Sequence, residues 1–312
     1  MIEVYKNPYQ DTDAYLPLKV NFHTHAGVCV KGKCGELPMD AVAQAYKQAG
    51  YHAVAISNHN MYLPKDETIE GIELLDAIEY SEHPHLIQVG VTEFQQNGHQ
   101  QAISDANDAG GFAILCHPNW INKEYWNWEH LEEVTGFAGI EILNPVIYRL
   151  SGSGLALDTW DHLLSRGRLV YGFGNDDFHQ WRDMERAYNV IFAKSAALQD
   201  IAEAVRHGRF YVSSGVLLKW LRYDGETLCI EAGFAGKSSY IREFEYRFIG
   251  YGGKVLEAQR THIASYRPDH KEPYLRVEVI SENGARLYLQ PMVLPEFFGK
   301  TETGISLSQD LS

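Results

Sequence analysis

Residues 21–25 read Asn21-Phe22-His23-Thr24-His25, a His-x-His at the end of the apolar run Leu18 to Phe22. Successive side chains of a strand point to opposite faces, so residues two apart share a face and both imidazoles can reach one metal ion. Alone the pair is weak, because a chain with 14 histidines places two at this spacing by accident. Its meaning depends on what the neighbouring elements deliver to the same place.

Outward from this stretch, from Leu18 to about Ser214, short apolar runs alternate with amphipathic segments, as expected of β/α units around a parallel sheet. The runs predict seven strands, at Leu18 to Phe22, Ala53 to Ser57, Leu86 to Thr92, Phe112 to Cys116, Gly139 to Leu143, Leu169 to Phe173 and Tyr188 to Ala193. Helices are expected at Pro38 to Ala49, Gln100 to Ala109, Trp128 to Val134, Leu155 to Ser165 and Leu198 to His207. A further helix is expected over Thr68 to Tyr80, where Ile69, Ile72, Leu75 and Ile78 fall at helical spacing. After Ser213-Ser214-Gly215 the texture becomes strand-like, punctuated by the turn pairs Asp224-Gly225, Gly252-Gly253 and Asn283-Gly284. The expected organisation is an α/β domain over 1–215, a small antiparallel β-sandwich-like domain over 216–300, and a flexible polar tail over 301–312.

With 45% hydrophobic and 22% charged residues, the 312-residue chain has the composition of a globular protein with a real core. A net charge of -14 argues against a general nucleic-acid-binding surface. No apolar run approaches the length of a bilayer span, and Met1-Ile2-Glu3-Val4-Tyr5 lacks the features of a signal peptide, so a cytoplasmic location with no membrane partner is expected. Four cysteines are too sparse for a disulfide framework. The oligomeric state is not legible.

Candidate ligands cluster just after predicted strands: His23 and His25, then His59, Glu93 with His99, His117, and Asp177 with His179. In a β/α barrel those ends meet around one mouth. Buried imidazoles and carboxylates need partners, and a metal centre satisfies them together. Mixed His and carboxylate donors suit Zn, Mn or Fe.

The ordered set His23-Thr24-His25, Ser57-Asn58-His59-Asn60, Gly90-Val91-Thr92-Glu93 with His99, Cys116-His117-Pro118-Asn119 and Gly174-Asn175-Asp176-Asp177-Phe178-His179 resembles the PHP (polymerase and histidinol phosphatase) metallohydrolases. The segment Gly208 to Gly215, followed by a β module, looks like the branch that includes carbaryl-hydrolase-type enzymes. The resemblance implies a distorted seven-stranded (β/α) barrel with a small C-terminal antiparallel β domain. It also implies one metal on His23, His25, Glu93 and Asp177, and a second on Glu93, His99 and His117. His59 and His179 correspond to a third site, whose completing loop here reads Gly32-Lys33-Cys34-Gly35, with Cys34 in place of a hard ligand. Asn58 stands where the family usually has Asp. Both departures favour an incomplete third site.

The expectation is therefore a phosphoesterase whose hydroxide is shared by two divalent metals bridged by Glu93, with His59 or His179 as proton donor. Its expected substrate is a small molecule, a phosphoester first. Arg149, Arg182 and Trp120 are the substrate-binding candidates, with Arg186, Lys31 and Lys33 weaker ones. Carbamate, amide or ester hydrolysis is the alternative, and a non-catalytic metal-binding or regulatory protein the alternative of another class.

Overall fold

The computed structural model describes residues 5–30, 32–65, 69–122, 125–235, 240–241 and 243–298. A 14-stranded mixed sheet dominates. In hydrogen-bonding order it runs Val255–Thr261, Phe244–Ile249, Tyr274–Ile280, Arg286–Leu289, Phe210–Ser213, Tyr188–Ala193, Leu16–Asn21, Ala53–Ile56, Glu73–Tyr80, Leu86–Val89, Phe112–Leu115, Gly139–Leu143 and Tyr171–Gly174, with Met292–Val293 paired to Tyr274–Ile280.

This architecture overturns the expected seven-stranded (β/α) barrel. Leu16–Asn21 is parallel to Ala53–Ile56 but antiparallel to Tyr188–Ala193, and Leu86–Val89 is antiparallel to both of its neighbours. Helices do not alternate regularly with strands. Residues 81–85 alone join Glu73–Tyr80 to Leu86–Val89, and among the described residues no helix lies between Ala53–Ile56 and Glu73–Tyr80.

The expected helix over Thr68 to Tyr80 is the source of the error. Thr68 lies outside the described residues, and Glu73–Tyr80 is a strand hydrogen-bonded on both edges. Leu74, Leu75, Ala77 and Ile78 are all buried, so the strand is covered on both faces and shows no polar alternation. The three-residue spacing of Ile69, Ile72, Leu75 and Ile78 thus imitated a helix face. The remaining helices form close to expectation at Met39–Gln48, His99–Asp108, Trp128–Glu133, Leu157–Ser165 and Leu198–Arg206, and a short one follows at Pro295–Phe298.

The C-terminal strands divide between two layers. Arg286–Leu289, Tyr274–Ile280, Phe244–Ile249 and Val255–Thr261 continue the main sheet across residue 215, through pairs such as Tyr211 with Leu289. Leu217–Tyr223, Leu228–Gly233 and Ile263–Tyr266 form a separate three-stranded sheet. Leu228, Ile230 and Ala264 of the small sheet share a core with Tyr246, Phe248, Val277 and Val279 of the large one, and Phe248 stacks on Tyr266 at 4.6 Å. The tail over 301–312 lies outside the described residues, and so does Lys31. Among the described residues no helix is long and apolar enough to cross a membrane.

Strand direction decides where side chains meet. Val20 pairs with both Ala53 and Asn189, and Ser213 with both Tyr188 and Leu287. The C-terminal ends of Leu16–Asn21, Ala53–Ile56, Glu73–Tyr80, Phe112–Leu115, Gly139–Leu143, Tyr171–Gly174 and Phe210–Ser213 therefore lie on one rim. Side-chain amides hold the last strand in place. Asn189 accepts from Gly174 N at 3.1 Å and donates to its carbonyl at 2.8 Å. Gln290 does the same for Gly172, at 2.9 and 2.7 Å. These amides replace ladder bonds that an edge strand would leave open. Beneath the rim, Phe22 packs edge-on against Phe112 and Phe173 at 5.3 and 5.9 Å.

Candidate metal centre

The loop after Leu16–Asn21 runs beside the loop after Tyr171–Gly174. His25 N donates to the Phe178 carbonyl at 2.8 Å, and Phe22 N donates to the Asn175 side chain at 3.0 Å. This pairing carries Asp177 to the histidines: its Oδ1 lies 3.2 Å from Nε2 of both His23 and His25.

Glu79, near the end of the strand that was expected to be a helix, occupies the centre. Its Oε1 is 2.9 Å from His85 Nδ1, 3.4 Å from His23 Nε2 and 3.7 Å from His117 Nε2. Its Oε2 is 2.5 Å from His59 Nδ1 and 3.6 Å from His25 Nε2. His179 completes the rim, its ring 4.1 Å from that of His25. The buried grouping His23–His25–Asp177 and the partly exposed groupings His59–Glu79–His85 and His25–His59–His179 could each hold a metal ion.

A surrounding layer aims these donors. Glu141, buried in Gly139–Leu143, lies 2.8 Å from His23 Nδ1. It also accepts from Asn175, from Asn144 and from His117 N, at 2.9, 2.8 and 2.9 Å. With its lone pairs so engaged, Glu141 acts as a positioning carboxylate even though its oxygens approach His23, Cys116 and His117 closely. A proton on His23 Nδ1 directs the Nε2 lone pair into the centre, the usual carboxylate–histidine arrangement. Tyr125 Oη sits 2.6 Å from His117 Nδ1 and fixes that ring in the same way. His179 Nδ1 donates to the Asp177 carbonyl at 2.8 Å.

Cys34 is buried with its Sγ 3.4 Å from His25 Nδ1, so it orients His25. Burial pushes its thiol pKa up and keeps it protonated. Asn58 ties the same loop down, accepting from Ala26 N at 2.9 Å and donating to the Ala26 carbonyl at 2.7 Å.

Electrostatics follow from crowding. Burial opposes ionisation of Glu79, but the rings of His59, His23 and His85 outweigh it and hold the carboxyl well below its ordinary range. Asp177 is likewise held low against burial by His23 and His25. Burial disfavours a charged His23, yet Asp177, Glu141 and Glu79 raise its pKa; His25, buried beside His179 and His59, is pushed down and stays neutral.

Hydrogen bonding remains incomplete at four facing atoms. Among the described residues, His23 Nε2, His25 Nε2, Glu79 Oε2 and Asp177 Oδ1 are buried without a hydrogen bond. Five other such atoms, on Gln88, Arg209, His270, Ser281 and Tyr288, are scattered through the described residues, whereas these four lie at one rim. Four converging ones fit a cation, whose coordination would satisfy imidazole lone pairs and carboxylate oxygens together. His117 and Asp177 also adopt left-handed backbone, with φ of 29° and 51°.

Six of the expected ligands meet here: His23, His25, His59, His117, Asp177 and His179. Glu93 and His99 do not. Glu93 is exposed, and His99 Nε2 lies 2.9 and 2.7 Å from the carbonyls of Glu82 and Pro84. Glu79 and His85 take the places given to Glu93 and His99, so Glu93 is corrected as ligand, bridge and catalytic residue, and His99 as ligand. The available signal was a carboxylate closing an apolar run, followed by His83-Pro84-His85 before the next strand.

Of the substrate candidates, Trp120 packs on the His117 and His85 rings at 5.4 and 5.9 Å. Arg149 is engaged by Asp183 at 2.8 Å, which in turn accepts from His179 N at 3.1 Å, so it braces the His179 turn. Arg182 is exposed. Comparison with protein-family models and with curated proteins finds no match.

Proposed function

We propose that this protein is a metal-dependent hydrolase of the PHP type, with a phosphoester as its first-choice substrate. The observation that carries the reading is that four buried donor atoms without a hydrogen bond, from His23, His25, Glu79 and Asp177, lie at one rim, three of them on His23, His25 and Asp177 close enough together to share an ion. The family's motif histidines gather around the same point, with Glu79 serving where the resemblance placed Glu93.

Divalent ions held there, Zn, Mn or Fe, would acidify a water and polarise the bond under attack. Glu79 lies between the His23–His25–Asp177 side and the His59–His85–His117 side, so it would help hold ions bound on either side. His59 and His179, each with a side chain 30% exposed, stand where the rim opens and are placed to hand a proton to a leaving group. Glu141, Tyr125 and Cys34 hold ring orientations through the cycle.

A second reading, carbamate or ester hydrolysis, is favoured by the wall over His85 and His117. That wall is aromatic, built from Trp120 and Tyr125, while Arg149 is committed to Asp183.

The test is metal analysis of the purified protein, combined with hydrolysis of an aryl phosphate and an aryl carbamate before and after chelation. Bound metal and chelator-sensitive turnover are expected, with His117→Ala losing metal and His130→Ala retaining it. Metal-free protein without turnover, even after metal is added back, rejects the hydrolase reading. The ratio of the two activities decides the substrate class.

A further inference from the structure

The rim carries a second concave region that the metal centre does not use. A cavity of about 430 Å³ opens where the residues before Tyr188–Ala193, those after Phe210–Ser213 and the start of Arg286–Leu289 come together. By strand register these termini lie at the same end of the sheet as the metal-site loops. Arg186 and Arg286 both line it.

We propose that this cavity is a ligand site that takes a small organic molecule by a phosphate-type oxyanion held between Arg186 and Arg286. Among the described residues, neither arginine forms an ion pair with a carboxylate, unlike Arg149, Arg166, Arg209, Arg247, Arg267 and Arg276; Arg168, Arg182, Arg206 and Arg222 form none either, but these do not share a cavity with a second unpaired arginine. Glu185, the acidic residue of the lining, is engaged by Lys19 at 2.7 Å. Two uncompensated guanidinium groups in one cavity are notable in a chain of net charge -14.

Their planar forks suit tetrahedral oxyanions, and two positive charges match a dianion better than a single carboxylate. Ser214 Oγ accepts from Arg286 N at 2.9 Å, which leaves its own proton to donate into the cavity. Tyr148, which lies near enough to Arg286 to feel its charge, and Leu155 offer apolar surface for the body of the molecule. The volume lies within the range of small-molecule sites. This inference goes beyond the hydrolase reading and does not depend on turnover.

The experiment is calorimetric titration of the purified, metal-loaded protein with inorganic phosphate and, separately, with acetate at equal ionic strength. Wild type, Arg186→Gln, Arg286→Gln, the double variant and His117→Ala are compared, each checked for an unchanged melting transition. The expected result is a phosphate-binding event that survives in His117→Ala, weakens about tenfold in each single arginine variant and vanishes in the double variant, separate from any phosphate binding at the metal centre that His117→Ala removes. Four results overturn the proposal: no phosphate binding by wild type, loss in His117→Ala with retention in the double variant, indifference to every substitution, or acetate binding as tightly as phosphate. Should one arginine variant misfold, the other alone carries the test.

Discussion

Two buried polar clusters in this molecule look alike in composition and differ in completeness. Beneath Leu157–Ser165, Arg276 donates to Asp161 through Nε at 2.8 Å and through Nη2 at 2.5 Å, and to Glu278 at 2.6 Å. Tyr274 Oη adds a bond to Asp161 at 2.9 Å, and the guanidinium lies over the Trp160 ring. Each of these polar groups is satisfied by another part of the protein. At the rim, by contrast, the His23, His25, Glu79 and Asp177 atoms that face one another lack hydrogen bonds. A cluster that closes on itself serves the fold, because removing one member strands the others. A cluster left open has donor atoms to offer a group the protein does not supply, as the proposed metal would be.

That contrast is breakable by substitution. The largest effect is expected from Glu79→Gln, which should remove metal and all measurable turnover. The same variant should lower the unfolding free energy of the chelated protein by less than Arg276→Leu does, because the amide keeps a hydrogen-bonding group beside His59 and His85. A severe loss of stability would place the rim in the same class as the Arg276 cluster. Arg276→Leu should do the reverse, lowering stability by about 3–5 kcal/mol in urea titrations while metal content per folded molecule is unchanged.

Glu141→Gln probes the layer between these extremes. Weakening the support of His23 and of the His117 backbone should lower metal affinity about 10–100-fold, read by competition with a chromogenic chelator. The smallest effect is expected from Trp120→Ala, which should raise KM by a few-fold to about tenfold with metal stoichiometry intact. If Trp120→Ala released metal, the aromatic wall would belong to the centre itself.

Much of the centre was legible because loops after strands carry most of it. His23, His25, His59, His117, Asp177 and His179 all follow short apolar runs whose ends are marked by the ligands themselves. Glu79 was hidden because Glu73–Tyr80 is covered on both faces, and a strand without alternation offers no period to read. His85 carries no such signal, because it precedes a strand instead of following one. That strand runs antiparallel to its neighbours, and reversal brings its start to the rim where other strands end. The same reversal explains the wrong fold class: regular alternation of runs suggested parallel units, but direction is a property of pairing and leaves no mark in composition. Glu141 was missed for a different reason. A carboxylate inside Gly139–Leu143 resembles an interruption of the core until His23, His117 N, Asn144 and Asn175 are seen around it.

The left-handed backbone at His117 and Asp177 has a consequence for how this protein can change. Conformations that side-chain-bearing residues avoid cost on the order of 1–3 kcal/mol each, so the chain would gain stability by placing glycine at either position. A laboratory selection for heat resistance alone should therefore enrich replacements there, and its hardiest survivors would be those that had given up the centre.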